Sequence, residues 1–169
     1  MANPLVSLLM GSDSDLPTVQ EACKILQAME VPFEVRVLSA HRCPEELTGY
    51  VKQAEQNGVR VFIAAAGGAA HLAGVVAAHT IRPVLGIPIQ TSALNGLDSL
   101  LSIVQMPGGV PVGTMAIGNA GARNAGLFAV QILALADASL AEKLRRYRTE
   151  QTGQVLQKDQ KVRQQFPGT

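Results

Sequence analysis

Apolar residues occur along the chain in short uninterrupted runs and in longer stretches with helical spacing. The short runs predict strands at about 5–10, 33–38, 59–65, 84–87 and 114–117. The helical stretches lie between and after them, at about 15–29, 44–56, 69–79, 96–105 and 122–136. Strands that alternate with helices indicate a parallel sheet covered on both faces. The pattern therefore predicts an α/β fold, a three-layer doubly wound parallel sheet of the flavodoxin or Rossmann type.

The end of the chain has a different pattern. Ser139 and Glu142 form a capping-box pattern, which predicts the start of an extra C-terminal helix. The Gln-rich segment 151–165 has little apolar surface, so it is either a solvated, frayed tail or a contact with another subunit. With 169 residues we expect a single domain over 1–169, with its core at about 5–136 and a helical tail at about 137–169.

Charge is scarce and unevenly distributed. Charged residues make up 16% of the chain, whereas they make up about a quarter of a typical soluble domain. Between residues 61 and 136 the only charged side chains are Arg82, Asp98 and Arg123. With a net charge of +1, no Trp and two Tyr, the chain has neither the basic patch nor the aromatic platform of a nucleic-acid-binding protein. We expect no nucleic-acid partner.

Neither a membrane span nor a signal peptide is predicted. The N-terminus lacks a basic segment, and its apolar run stops at Met10. The apolar stretch 61–78 is rich in weakly hydrophobic Ala, and Gly67, Gly68 and His71 interrupt it. We therefore expect a cytoplasmic protein with no membrane partner, in which the two isolated cysteines are reduced.

Two of the loops that follow predicted strands carry polar groups suited to a ligand. In a parallel sheet these loops share the edge where ligands bind. Residues 11–15, Gly-Ser-Asp-Ser-Asp, offer backbone N–H groups and hydroxyls for a phosphate, and Asp15 offers a carboxylate for ribose hydroxyls. The same residues could simply cap the next helix, with Ser14 or Asp15 as its N-cap. Residues 39–42 place the titratable His41 beside the permanently charged Arg42.

The third loop, 66–71, has no side chain larger than methyl before His71, so a ligand could approach its backbone. The chain contains no dinucleotide fingerprint, nucleoside-triphosphate phosphate loop or serine nucleophile elbow. Its three His residues have no Cys or carboxylate at ligand spacing, so no metal site is predicted. The residues indicate a cofactor-free enzyme or binding domain for a small phosphorylated, sugar-bearing ligand, with His41 as candidate acid or base.

The motifs in these loops resemble those of the class I N5-carboxyaminoimidazole ribonucleotide mutases of purine biosynthesis, the PurE family. The resemblance spans about 5–136. It is carried by Gly11-Ser-Asp-Ser-Asp15, Ser39-Ala-His-Arg42, Ala66-Gly-Gly-Ala-Ala-His-Leu72, Gly86-Ile-Pro88, Met106-Pro-Gly-Gly-Val-Pro-Val112 and Ala116-Ile-Gly118. Class II enzymes, which carboxylate aminoimidazole ribonucleotide with CO2 directly, usually have Lys in place of Arg42 and a different sequence at 67–72. Class I is therefore favoured.

The resemblance implies an isomerase that moves a carboxylate from N5 to C4 through decarboxylation and recapture of CO2, without metal or cofactor. His41 would be the acid and base. The residues that it implies for binding the phosphoribosyl-imidazole substrate are Ser12, Ser14, Asp15, Ser39, Arg42, Ala66, Gly67 and His71. The resemblance also implies a homo-octamer. Two alternatives remain: a class II carboxylase, and a non-catalytic protein that binds phosphoribosyl ligands.

Overall fold

Within residues 3–166, which the computed structural model describes, five parallel strands form one sheet in the order β2-β1-β3-β4-β5. The strands are β1 (Val6–Met10), β2 (Phe33–Val37), β3 (Val61–Ala66), β4 (Val84–Pro88) and β5 (Gly113–Thr114). The helices are α1 (Leu16–Ala28), α2 (Pro44–Gln56), α3 (Leu72–Ala77), α4 (Leu97–Val104), α5 (Gly118–Ala134) and α6 (Ala138–Gln165). This strand order is that of the flavodoxin type. The predicted fold class is confirmed, including the extra C-terminal helix.

The sheet is buried on both faces. Strand β3 shows the division, because Ile63 belongs to the apolar core shared with α1, α5 and α6. Its neighbour Phe62 belongs to the core shared with α2, α3 and α4. Side chains of a strand alternate between the two faces of its sheet, and all six residues of β3 are buried. An uninterrupted apolar run is therefore the expected sequence for this strand.

Helices α1 and α5 pack closely on one face of the sheet. A Cβ on Gly126 would lie 3.0 Å from both the Ala22 carbonyl oxygen and Ile25 Cβ, so only glycine permits this approach without a shift. Arg123 Nε of α5 donates a hydrogen bond of 2.6 Å to Glu21 Oε2 of α1. Together with a hydrogen bond from Lys24, which is the larger cause, this contact lowers the pKa of the Glu21 carboxyl.

Several element boundaries differ from the predicted ones. Helix α3 is shorter than the predicted 69–79 at both ends. Gly68 has φ +66°, which is outside the helical region, and residues 69–71 are not helical. Strand β5 has two residues and ends at Thr114, so residues 115–117 are not strand. Helix α5 begins at Gly118, four residues before the predicted start. The small residues in its first turn give no apolar pattern at helical spacing, so the sequence did not indicate this start.

The predicted cap of the C-terminal helix is wrong. Asp137 is the N-cap of α6, and its side chain accepts hydrogen bonds from the backbone N–H groups of Ser139 and Leu140 at 2.9 and 3.1 Å. Ser139 is the second residue of the helix and not its N-cap, so it cannot form the predicted capping box with Glu142. The Gln-rich segment continues the same helix to Gln165, and most of its side chains are exposed.

In residues 3–166, no helix is both long and apolar enough to cross a membrane. The apolar stretch 61–78 contains β3 and α3 instead of one long helix. Met1 and Ala2, the first residues of the N-terminal segment in which no signal peptide is predicted, lie outside the described residues.

Candidate active site

A cleft of about 370 Å³ lies at the carboxyl ends of β1, β2 and β3. This edge contains the point between β1 and β3 where the chain reverses its direction of winding, which is where doubly wound sheets bind ligands. All nine predicted site residues line the cleft, and so do Gly11, Ala40, Ala69 and Leu72. The structure therefore brings the three candidate loops together.

The first loop presents hydroxyl groups at the start of α1. A single turn of 3-10 helix, Asp13–Asp15, precedes α1, and Ser12 is its N-cap. Ser12 Oγ accepts hydrogen bonds from the Ser14 backbone N–H at 3.3 Å and from Ser14 Oγ at 2.8 Å. Asp15 occupies the N-cap position of α1, but its side chain makes no capping hydrogen bond. Asp15 is therefore the N-cap of α1 by position, as one of the two predicted candidates, whereas the side-chain capping hydrogen bond is made by Ser12, in the turn before α1.

Asp15 is half-buried beside these hydroxyls. Burial is the main cause that raises the pKa of its carboxyl, and a hydrogen bond from Ser14 opposes the shift. Burial therefore disfavours the charged carboxylate in the free protein. A ligand that donates hydrogen bonds to this carboxylate would replace part of the lost hydration.

The second loop is folded around one hydroxyl and attached to the first loop by one cation. Ser39 Oγ accepts hydrogen bonds from the backbone N–H groups of His41 (3.4 Å) and Arg42 (3.2 Å), and from Arg42 Nε (3.4 Å). Arg42 Nη2 donates to the Gly11 carbonyl oxygen at 2.7 Å. The guanidinium group is therefore held at the cleft from two sides.

His41 and His71 form a hydrogen-bonded pair across the cleft. Nε2 of His41 lies 2.8 Å from Nδ1 of His71. The rings meet edge to face, with an interplanar angle of 88° and a centroid distance of 4.9 Å. One nitrogen must donate and the other accept, so the contact persists only while at least one of the two contacting nitrogens lacks a proton. His71 therefore couples the position of the His41 ring to the third loop.

The third loop contributes backbone and methyl groups. Ala66 is the last residue of β3, and Gly67 follows it at the cleft surface. A Cβ on Gly67 would lie 3.3 Å from Thr91 Cγ2 and 3.4 Å from Ile89 Cβ, so the loop packs against the segment that follows β4. Ala66 also accepts a hydrogen bond of 2.9 Å from the Ile89 N–H through its carbonyl oxygen.

The family model described as AIR carboxylase matches residues 5–154, which include all three loops. The chain belongs to the AIR carboxylase family.

Curated relatives of this AIR carboxylase family member are named N5-carboxyaminoimidazole ribonucleotide mutase. The Bacillus subtilis protein is 58% identical over 88% of this chain and 93% of its own. The Escherichia coli K12 protein is 55% identical over 90% of each chain. The Pyrococcus horikoshii protein is 53% identical over 94% of this chain and 89% of its own.

A solved structure supports the same family fold. The crystal structure of Treponema denticola PurE superposes with a TM-score of 0.86, covers 94% of this chain and 98% of its own, and is 25% identical in sequence. The same architecture is therefore present in a protein that shares 25% of its sequence with this chain.

Two supporting residues of this family member were missed from sequence. Cys43 Sγ accepts a hydrogen bond from the Ser39 N–H at 3.1 Å and donates to the Ser39 carbonyl oxygen at 3.3 Å, so it closes the second loop. Ser99, on α4, contacts the third loop from behind. Cys43 directly follows the Ser39-to-Arg42 motif, so its position was a usable signal, whereas Ser99 lies in a stretch with no motif.

Proposed function

We propose that the protein is an N5-carboxyaminoimidazole ribonucleotide mutase. It converts its substrate to 4-carboxy-5-aminoimidazole ribonucleotide, an isomerisation in purine biosynthesis. One observation carries the proposal: the His41 imidazole, the Arg42 guanidinium, the hydroxyl loop and the Ala and Gly loop line a single cleft. The names of relatives that are 53 to 58% identical support the same reaction.

In this proposal the two polar loops bind the ribose phosphate. The hydroxyls of Ser12 and Ser14 donate to phosphate oxygens, and Arg42 supplies the positive charge. The Asp15 carboxylate accepts hydrogen bonds from ribose hydroxyls, and Ser39 orients Arg42 through the contacts described above. The imidazole ring then lies between His41 and the third loop.

The proposed chemistry needs one proton that leaves and returns. The bond between N5 and the carboxylate carbon breaks, its electrons remain on N5, and protonated His41 gives N5 a proton, which releases neutral CO2. C4 of the aminoimidazole then attacks that CO2, and His41 takes the proton from C4. One C–N bond breaks, one C–C bond forms, and His41 returns to its initial state. General acid–base catalysis of this kind contributes about 10² to 10⁴ in rate.

The third loop suits the CO2 intermediate. Ala66, Gly67 and Ala69 present methyl groups and backbone but no charged side chain. A carboxylate is poorly solvated in such surroundings, whereas neutral CO2 loses little hydration there. This side of the cleft, the wall formed by the third loop, therefore favours decarboxylation of the bound substrate. The same small groups keep the CO2 close to C4. His71 holds the His41 ring at the edge of this wall.

The decisive experiment is turnover by the purified protein in a buffer without ATP, added metal or biotin. The substrate carries ¹³C in its carboxylate, and the product is followed by NMR. We expect C4-carboxylated product that retains the label in the presence of excess unlabelled bicarbonate. Efficient use of aminoimidazole ribonucleotide with bicarbonate, and no use of the N5-carboxylated substrate, would identify a class II carboxylase instead. Ligand binding without turnover of either substrate would identify a binding protein.

We also propose that the whole chain, residues 1–169, acts as one domain in a cytoplasmic homo-octamer that needs neither nucleic acid nor membrane. Large apolar side chains that are exposed in the single chain support the assembly: on and before α4, Leu94, Leu97, Leu101 and Val104, and on α6, Val155, Leu156 and Val162. Light scattering on the purified protein tests the state. A stable monomer at micromolar concentration would refute the proposed assembly.

A further inference from the structure

Ser99 is a buried polar residue that the proposed reaction does not use. It lies on α4, behind the third loop and outside the lining of the cleft, and its exposed fraction is 0%. The other buried polar or charged residues in the described part of the chain, Ser7 and Glu21, lie on β1 and α1. A hydroxyl is costly to bury unless it forms hydrogen bonds, so the contacts of Ser99 need an explanation.

Ser99 connects two backbone segments that lie outside α4, the third loop and the residues that follow β4. Its Oγ accepts a hydrogen bond of 3.0 Å from the Gly68 N–H and donates one of 2.7 Å to the Ile89 carbonyl oxygen. Gly68 belongs to the third loop, and Ile89 directly follows β4. Both capacities of one hydroxyl are thus used to hold these two segments together.

The contact acts at the wall of the cleft. Gly67 and Ala69, on either side of Gly68, line the cleft. Gly68 has φ +66°, a left-handed conformation that determines how this wall turns, and it is supported from behind by its N–H bond to Ser99.

The first turn of α4 also holds the segment against which the wall packs. Thr91 Oγ1 donates to the Asp98 carboxylate, with distances of 2.8 and 3.0 Å to its two oxygens. Thr91 Cγ2 is the atom that would lie 3.3 Å from a Cβ on Gly67. Asp98 and Ser99 therefore fix the two backbone segments whose contact shapes this side of the cleft.

We propose that Ser99 is a positioning residue that fixes the backbone of the third loop, and so sets the shape of the wall that retains CO2 during the carboxylate transfer. This inference rests on the proposed mutase function. It assigns to α4 a part in the reaction without any contact with substrate. Loss of the hydroxyl would leave the Gly68 N–H and the Ile89 carbonyl unpaired, and the loop would relax away from C4.

The test compares Ser99→Ala with Ser102→Ala on the same helix. Ser102 is half-buried, and within the described part of the chain its hydroxyl makes no hydrogen bond to either segment, so the control removes the same atom without this contact. Each variant is assayed for kcat, for KM and for the share of turnover that ends as free aminoimidazole ribonucleotide. That share is corrected for spontaneous decarboxylation of the substrate.

For Ser99→Ala we expect kcat to fall by roughly 10- to 100-fold, as for other small misplacements in an active site. KM should stay within about twofold, because the polar loops remain intact, and the share of aminoimidazole ribonucleotide should rise. Ser99→Thr, which keeps the hydroxyl, should recover part of the loss. A folded Ser99→Ala protein that matches Ser102→Ala in kcat and in product share would overturn the inference.

A second variant tests the loop if Ser99→Ala does not fold. In Gly68→Ala the new methyl would meet no atom within 4 Å, but φ +66° is strained for alanine. It should lower kcat and increase CO2 loss in the same way, and wild-type behaviour would overturn the inference. Failure of the wild-type protein to convert the N5-carboxylated substrate would instead refute the mutase function, so the two failures are distinguishable.

Discussion

The polar loops, 11–15 and 39–42, and the third loop, 66–71, form opposite sides of one cleft in different ways. The polar loops carry the side chains, and they hold each other through bonds such as Arg42 Nη2 to the Gly11 carbonyl oxygen, at 2.7 Å. The third loop presents mainly backbone, and Ser99 of α4 holds it from behind. A mutation on the polar side can therefore remove one functional group at a time. On the third loop, a mutation acts by changing the backbone conformation.

This difference divides the expected effects of mutation. Changes in the polar loops should remove proton transfer or substrate affinity. Changes in or behind the third loop should increase the loss of CO2 before it is recaptured at C4, while the affinity for substrate stays nearly constant. His71 is a link between the two sides, because it belongs to the third loop and contacts His41.

The largest effect is expected for His41→Asn. The amide of Asn neither gains nor loses a proton near neutral pH, so it cannot transfer the proton, and kcat should fall by about 10² to 10⁴. KM should change by less than about threefold, because the phosphate contacts remain. The measurement is steady-state conversion of the N5-carboxylated substrate, with circular dichroism to check the fold. A near-normal kcat would show that His41, and with it the polar side, does not carry the proton transfer.

Arg42→Lys should weaken binding on the polar side. Lys keeps the charge, but its single ammonium group cannot reproduce the two directions in which the guanidinium donates, to Ser39 Oγ and to the Gly11 carbonyl oxygen. We expect KM to rise by about tenfold, the usual effect of losing a charge-assisted hydrogen bond. The KM increase should be smaller in Lys52→Arg, a control at an exposed position of α2. An unchanged KM would remove Arg42 from phosphate binding.

His71→Phe tests the link between the two sides. Phe keeps a ring but cannot bond to His41 Nε2, so kcat should fall by about three- to tenfold, as for the loss of one hydrogen bond. His71→Asn, whose amide can occupy the position of Nδ1, should retain more activity than His71→Phe. Equal activity in both variants and in the wild type would mean that the contact of 2.8 Å does not orient His41.

Asp15→Asn should have the smallest effect, with opposite signs for stability and function. Because burial raises the pKa of Asp15, the wild-type fold loses stability as pH rises from the ordinary carboxyl pKa through the raised one. The variant lacks this titration, so its advantage in thermal midpoint should be larger at pH 7 than at pH 4. KM should rise a fewfold through the lost ribose contact. A variant less stable than wild type at pH 7 would contradict the assigned cause.

The fold and the polar side could be predicted because their signals are local. β1 and β4 are apolar runs, and a buried parallel strand has few other sequences available. His41 beside Arg42 after a strand is likewise visible in a short window. The placement of all nine predicted residues around one cleft then follows from the rule that ligands bind at this edge.

The features that could not be predicted from sequence depend on long-range contacts or on a choice between competing local contacts. Ser99 meets Gly68 across 31 residues, and only the packing of α4 shows which of its two serines faces inward. The cap of α6 was misplaced because Asp137 and Ser139 are both good caps, and the backbone geometry decides between them. The late start of α3, at Leu72, comes after a loop in which Gly68 has φ +66°, a backbone conformation that composition does not reveal.

The close packing of α1 on α5 also has a consequence during synthesis. Glu21 and its partner Arg123 are 102 residues apart, so about 5 to 20 seconds of translation separate them at roughly 5 to 20 residues per second. In that interval the apolar face of α1 has emerged before the helix that covers it. The nascent first half of the chain, which carries every side chain proposed for substrate contact, is therefore the part most exposed to aggregation before the domain closes.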